Sequence, residues 1–145
     1  MRSPCVSMVL RSAQTALGAG FAAALLAAST AASAGDTTPA QQLARFAAES
    51  GAPGQPERGR AFYTARHGGS WSCASCHGNP PTTAGKHAST GKTIDPLAPS
   101  ANPAAFTDTA TVDKWFRRNC RDVLQRECSA AEKADLLAYL LALPR

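Results

Sequence analysis

The sequence predicts an all-α fold wrapped around one covalently held group, on three observations. Four stretches carry helical periodicity with recognisable starts and stops. A long segment, residues 79–103, carries no periodicity and is broken by Pro80, Pro81, Pro96, Pro99 and Pro103, and such a loop in a small domain usually wraps something or is functional. Between them lies Cys73-Ala74-Ser75-Cys76-His77, the C-x-x-C-H pattern of c-type haem attachment.

The motif has a mechanical reason. Each thiol adds across one vinyl group of the porphyrin, and the tether holds the adjacent imidazole beneath the iron as proximal ligand. Cys73 and Cys76 are therefore the attachment residues of one haem c, and His77 is the iron ligand. A zinc site would need two further Cys or His at short spacing, and a redox dithiol would need a parallel α/β pattern; neither follows here.

The chain begins with Arg2 and Arg11, an Ala/Leu-rich run from Ala16 to Ala28 and the small-residue triplet Ala32-Ser33-Ala34. This is a secretory signal cut before Gly35, too alanine-rich and short for a convincing membrane span. Removing residues 1–34 from the 145 leaves 111, enough for one small domain. That mature part divides into an N-terminal helix and linker, 35–55, and a main domain, 56–145. It has 13 basic against 10 acidic residues, or +3, once Arg2 and Arg11 are gone. This is no nucleic-acid footprint. Export implies the periplasm, an oxidising setting in which Cys120 and Cys128, left over after haem attachment, default to a disulfide.

The first helix starts with Thr38 as cap and Pro39 in the first turn, puts Leu43, Phe46 and Ala47 on one face, and ends at Ser50–Gly54. The second runs from Pro56 to about Arg66, with Gly59, Phe62 and Tyr63 for packing and Gly68-Gly69 as the stop. Gly59 costs about 1 kcal/mol relative to alanine inside a helix, so it marks the close approach of another helix. In the aperiodic loop, a carbonyl around Pro96 is the expected acceptor for the His77 Nδ1 proton.

The third helix takes Thr111 as cap. Val112, Trp115, Phe116 and Asn119 share one face, with Asp113, Lys114, Arg117 and Arg118 pointing the other way, as a solvated face or a docking surface. The last helix opens on the capping box Ser129-Ala130-Ala131-Glu132 and runs through Leu143. Its apolar surface from Leu136 onward goes almost all round, so it is expected to be buried between haem and protein. Eight residues of unbroken helix would part the Cα atoms of Cys120 and Cys128 by about 12 Å, against roughly 7 Å for a disulfide. If they pair, the chain turns back between them.

Both methionines, Met1 and Met8, lie in the signal, so a His/Met iron is excluded. The residues leave the sixth position to Asn119, His67, His87, a lysine, or no group. Asn119 extends the stripe of Val112, Trp115 and Phe116 and adjoins Cys120, but asparagine is also common where helices end. His67 and His87 sit in polar, glycine-flanked stretches that suit surface residues.

Cys73-Ala-Ser-Cys-His-Gly78, the stretch from Gly91 to Asp108 and the segment from Val112 to Leu140, with its Asn-Cys-x7-Cys pattern, resemble the sphaeroides haem protein family. The resemblance covers most of the mature chain from about Pro56. It implies a class I cytochrome c fold, His77 as proximal ligand, Asn119 as distal ligand in the oxidised state and a Cys120–Cys128 disulfide. Cytochrome c double-prime is similar but has histidine at the Asn119 position. The resemblance further implies reversible O2 binding by the reduced form, a dihaem cytochrome c as electron source and a membrane cytochrome b as neighbour. NO and CO are the other diatomic ligands of such a ferrous haem. Two rival functions stand beside it: a plain electron carrier with a permanent sixth ligand other than methionine, and a small oxidase or nitric oxide dioxygenase.

Overall fold

A computed structural model describes residues 35–144; the expected signal segment, residues 1–34, falls outside them. Five helices follow in order: α1 (Pro39–Ser50), α2 (Pro56–Thr64), α3 (Cys73–His77), α4 (Thr109–Leu124) and α5 (Ala130–Leu141). Between α3 and α4 the aperiodic loop folds back once, as an antiparallel pair β1 (Gly85–Lys86) and β2 (Thr93–Ile94) with Gly85 opposite Ile94. Among the described residues no helix is long and apolar enough to cross a membrane.

Local rules place most of these elements. The Thr38 hydroxyl accepts from Gln41 N at 3.2 Å, with Pro39 in the first turn. Helix α5 opens on a closed capping box: Ser129 Oγ accepts from Glu132 N at 3.2 Å, and Glu132 Oε2 accepts from Ser129 N at 2.8 Å. It ends at Leu141, short of Leu143, and α2 ends at Thr64, two residues before Arg66. Helix α4 starts earlier than expected. Asp108 is its cap, Oδ1 accepting from Thr111 N at 2.7 Å, and Thr111 lies inside the first turn.

Helix α5 is the axis of the core, with α1 and α2 packed on it and Ala134 through Leu140 buried. Phe46 of α1, Tyr63 of α2, and Leu137 and Leu140 of α5 are almost fully enclosed. Helix α4 contributes Val112, Phe116 and Cys120 to the same cluster, and Phe116 meets the Phe46 ring edge-on at 5.4 Å. One charge is buried with them: Asp135, 7% exposed, accepts from Gln55 N at 2.7 Å and from both forks of Arg58 at 2.7 and 2.8 Å. Three donors offset its desolvation and fix the start of α2 against α5.

Two contacts set the spacing of α2. Gly59 sits where a Cβ would overlap the Asp135 carbonyl and lie 2.8 Å from Tyr139 Cβ, which is why glycine is tolerated mid-helix. One turn on, Tyr63 O–H donates to Gly78 O at 2.6 Å, tying the residue after α3 to the core. Burial, with lesser repulsion from Cys73, Tyr139 and Cys76, pushes the Tyr63 phenol far above its ordinary range.

Gly59→Ala is expected to cost about 2 kcal/mol by overpacking the α2–α5 contact, read as a lower urea midpoint at unchanged slope. Tyr63→Phe should cost about 1 kcal/mol near neutrality. The unfolded chain releases the Tyr63 proton first, from about pH 10, so folding stability falls as pH rises above that point. Urea titrations from pH 8 to 11 should show this alkaline loss in the parent and a shallower one in Tyr63→Phe.

Candidate haem site

Helix α3 is five residues long, and neighbouring groups confine its backbone while Cys73, Cys76 and His77 face one cavity. Ser72 caps it, with Ser72 N donating to Ser75 Oγ at 2.9 Å, while Tyr63 holds the carbonyl of Gly78 beyond its end. On another side, β1 crosses so closely that a Cβ on Gly85 would overlap the Cys76 carbonyl and lie 3.0 Å from His77 Cα. The hairpin then leans on the motif, Ala88 N reaching Cys76 Sγ at 3.3 Å.

Cys73, Cys76 and His77 line a cavity of about 1150 Å³, just above the roughly 300–1,000 Å³ of small-molecule sites. Across it runs α4, contributing Trp115 and Asn119. Neither cysteine is in a disulfide. Burial, only partly opposed by a backbone hydrogen bond, pushes the Cys73 thiol up to about 11, and burial lowers the His77 imidazole so that it stays neutral, the form that binds metals. His77 Nδ1 is buried without a hydrogen-bond partner. The Pro96 carbonyl expected to serve it instead accepts from Asn102 Nδ2 at 3.0 Å, so that expectation is corrected.

The expected stripe on α4 divides between two environments. Val112 and Phe116 are buried, continued by Cys120 and Val123, whereas Trp115 and Asn119 are exposed, although all six line the cavity. Arg118, expected on the outer side, also lines the cavity, with its guanidinium 5.5 Å from the Trp115 ring centre. Cys120 and Cys128 are joined, their Cα atoms 5.6 Å apart. Helix α4 ends at Leu124 and Gln125 turns left-handed (φ 59°), which reverses the chain between the two sulfurs.

The rival ligands stand differently. His67 is not part of the cavity wall; its Nε2 lies 2.8 Å from Phe62 O and its ring packs on Phe62. His87 does line the wall, from the hairpin on the Cys76 side, with Nδ1 accepting from Ser89 N at 3.3 Å. Among the described residues no three His, Cys, Asp or Glu side chains cluster to hold a free metal ion.

Sequence reasoning missed part of the wall. Trp71, like Trp115 44% exposed, faces the same cavity. The signal was available, since these are the chain's two tryptophans and one directly precedes the motif. Phe106, with φ 62°, is a second such residue: it lines the cavity, its ring tilted against Phe116 at 6.4 Å between centroids. A bulky residue held left-handed costs about 1 kcal/mol or more, and no local pattern announces it.

Two cysteines outside any disulfide, a neutral imidazole and an aromatic-walled cavity suit a flat, apolar macrocycle with an iron centre: the sulfurs for covalent attachment, the nitrogen for the metal, the rings for the porphyrin edge. The comparisons agree. The family model Domain of unknown function (DUF1924) matches residues 49–140. Cytochrome c-type protein SHP of Cereibacter sphaeroides is 52% identical over 113 residues, covering 75% of this chain and 87% of the relative. The structure of oxidised SHP, described as an oxygen-binding cytochrome c, superposes with a TM-score of 0.71 at 51% identity, covering 75% of this chain and all of that one. The crystal structure of oxidised cytochrome c'' from Methylophilus methylotrophus gives 0.65 at 34% identity, covering 74% and 95% of the two chains. A solution structure of the same cytochrome, concerned with haem-ligand detachment, gives 0.63 at 36% identity, covering 74% and 94%. With its helical cytochrome c fold and these matches, the chain belongs to the DUF1924 family and is a c-type cytochrome related to SHP, carrying covalently bound haem c.

Proposed function

We propose that the protein is a periplasmic monohaem cytochrome that exchanges electrons with a redox partner and binds O2, or NO or CO, after release of a distal asparagine. Cys73 and Cys76 hold the haem, His77 is the proximal ligand and Asn119 the distal ligand of the oxidised form. The haem, when bound, supplies a one-electron centre whose iron takes diatomic gases where a coordination position is free.

The observation that carries this reading is the position of Asn119. Its side chain is exposed on the α4 face of the same cavity that Cys73, Cys76 and His77 line, while His67 lies outside the wall with Nε2 engaged. A neutral amide is a weak donor, tolerated by the harder ferric ion and held less well by ferrous. Asn119 therefore binds in the oxidised state and withdraws on reduction. The Cys120–Cys128 bridge limits how far its segment travels, and Trp71, Trp115 and Phe106 keep the surroundings apolar. The ligand detachment addressed in the Methylophilus relative and the oxygen binding of SHP support the same behaviour here.

Residues 1–34 act as an export signal removed before Gly35. By the sequence resemblance, the electron donor is a dihaem cytochrome c, with a membrane cytochrome b as functional neighbour.

The test is the absorption spectrum of the haem-loaded mature protein, ferric and dithionite-reduced, with and without CO, beside Asn119→Ala. The expected result is a high-spin reduced form that takes up CO, and a ferric spectrum that the substitution moves towards high spin. A low-spin reduced form indifferent to CO overturns the reading and selects a plain electron carrier.

A further inference from the structure

Helix α4 carries Asn119, and α1 holds the N-terminal half of α4 through a connected polar network. Gln42, 2% exposed, donates from Nε2 to Thr109 Oγ1 at 3.1 Å and to Thr37 Oγ1 at 3.0 Å. Its Oε1 accepts from Arg45 Nε at 3.0 Å and Nη2 at 2.6 Å. The same guanidinium forks onto Asp113, Nη2 to Oδ1 at 2.6 Å and Nη1 to Oδ2 at 3.3 Å. Asp36 Oδ1 accepts from Thr109 N at 2.8 Å. Arg45 also lies 4.2 Å above the Phe46 ring, which meets Phe116 of α4 edge-on.

Asp113, Phe116 and Asn119 follow each other at three-residue steps along α4. Helix geometry carries a displacement at the first to the last, about 9 Å along a rigid rod. At the far end, Cys120 is fixed by its disulfide. The amide thus stands between two anchors, and the first of them is supplied by residues before position 49, where the family match begins.

We infer that Arg45 is a positioning residue for Asn119: by gripping Asp113 it sets the placement of α4 that keeps the amide in the cavity, and so favours the oxidised, amide-bound state. The inference rests on the reading of Asn119 as a removable ligand. Its sign follows directly. Loosening the grip weakens amide binding to the oxidised form, so the ferric protein shifts towards the unbound state and reduction becomes easier.

The experiment uses the haem-loaded protein with Arg45→Met, which removes the fork but keeps an apolar stem over Phe46, and with Asp113→Asn as a second, independently folding variant. Each is made with and without Asn119→Ala, and each is read by ferric absorption spectrum and reduction potential. The expected result is an about threefold larger ratio of unbound to bound ferric protein. Where the bound form predominates, this corresponds to a potential raised by about 28 mV, at about 59 mV per tenfold for one electron. The two substitutions together should do no more than either alone, because they remove one interaction. In the Asn119→Ala background neither should move either readout. Unchanged spectra and potentials in both single variants overturn the inference, as do equal changes with and without Asn119, which would make Arg45 a general stabiliser. If Asn119→Ala alone leaves the ferric spectrum unchanged, the ligand reading itself fails.

Discussion

The confinement of one five-residue helix governs the rest of the molecule. Helix α3 is too short to hold a conformation by its own hydrogen bonds, yet it must aim two sulfurs and an imidazole into one cavity. It is fixed from outside instead. Tyr63 donates to Gly78 O behind it, and Gly85 brings β1 against the Cys76 carbonyl. A two-residue ladder such as β1–β2 is not stable alone, so the hairpin in turn depends on α3, where Ala88 N meets Cys76 Sγ. Each weak element is held by the other.

That arrangement assigns α5 its character. Helices α1 and α2 pack on it, while Leu136 reaches the cavity wall, which accounts for an apolar surface nearly all round. The buried Asp135 is the exception, and its three donors come from the first turn of α2 and its approach. A charge so placed tolerates one alignment of α2 on α5 and penalises others, since any slip leaves it unpaired in a low-dielectric site. The position of Tyr63, and through it of α3, is inherited from that alignment.

How much of this is legible in the sequence depends on how local the cause is. Thr38 and the Ser129/Glu132 box act within one turn, and both do what their pattern implies. Gly59 is legible as a close approach because glycine mid-helix has few other reasons. The start of α4 is displaced because Asp108 and Thr111 are both competent caps three residues apart, and only the backbone decides that one accepts from the other. The stripe Val112, Trp115, Phe116, Asn119 is a single face by counting, and all four line the cavity, but α4 lies on a boundary, so that one edge is buried and the other exposed. The same wide boundary draws Arg118 to the cavity side. The Pro96 carbonyl belongs to a loop whose path is set by tertiary contacts, and there Asn102 takes it. The Arg45–Asp113 pair spans 68 positions, and nothing in a local window connects them. The haem motif was readable in full because its chemistry lies within five consecutive residues.

The placement of the proposed distal ligand between two anchors bears on why an amide would serve there. A helix neither stretches nor compresses appreciably, so withdrawal of Asn119 means a tilt or rotation of α4, or a change in its last turn beyond Cys120. The first is opposed by the hold of α1 on Asp113 and Thr109, the second by the bridge to Cys128 and the reversal at Gln125. Such restraints, partly exposed at Arg45 and Asp113 with 31% and 44% of their side chains accessible, contribute modestly. A weak neutral donor leaves bound and released states close in free energy, so that modest contacts elsewhere in the fold can decide between them.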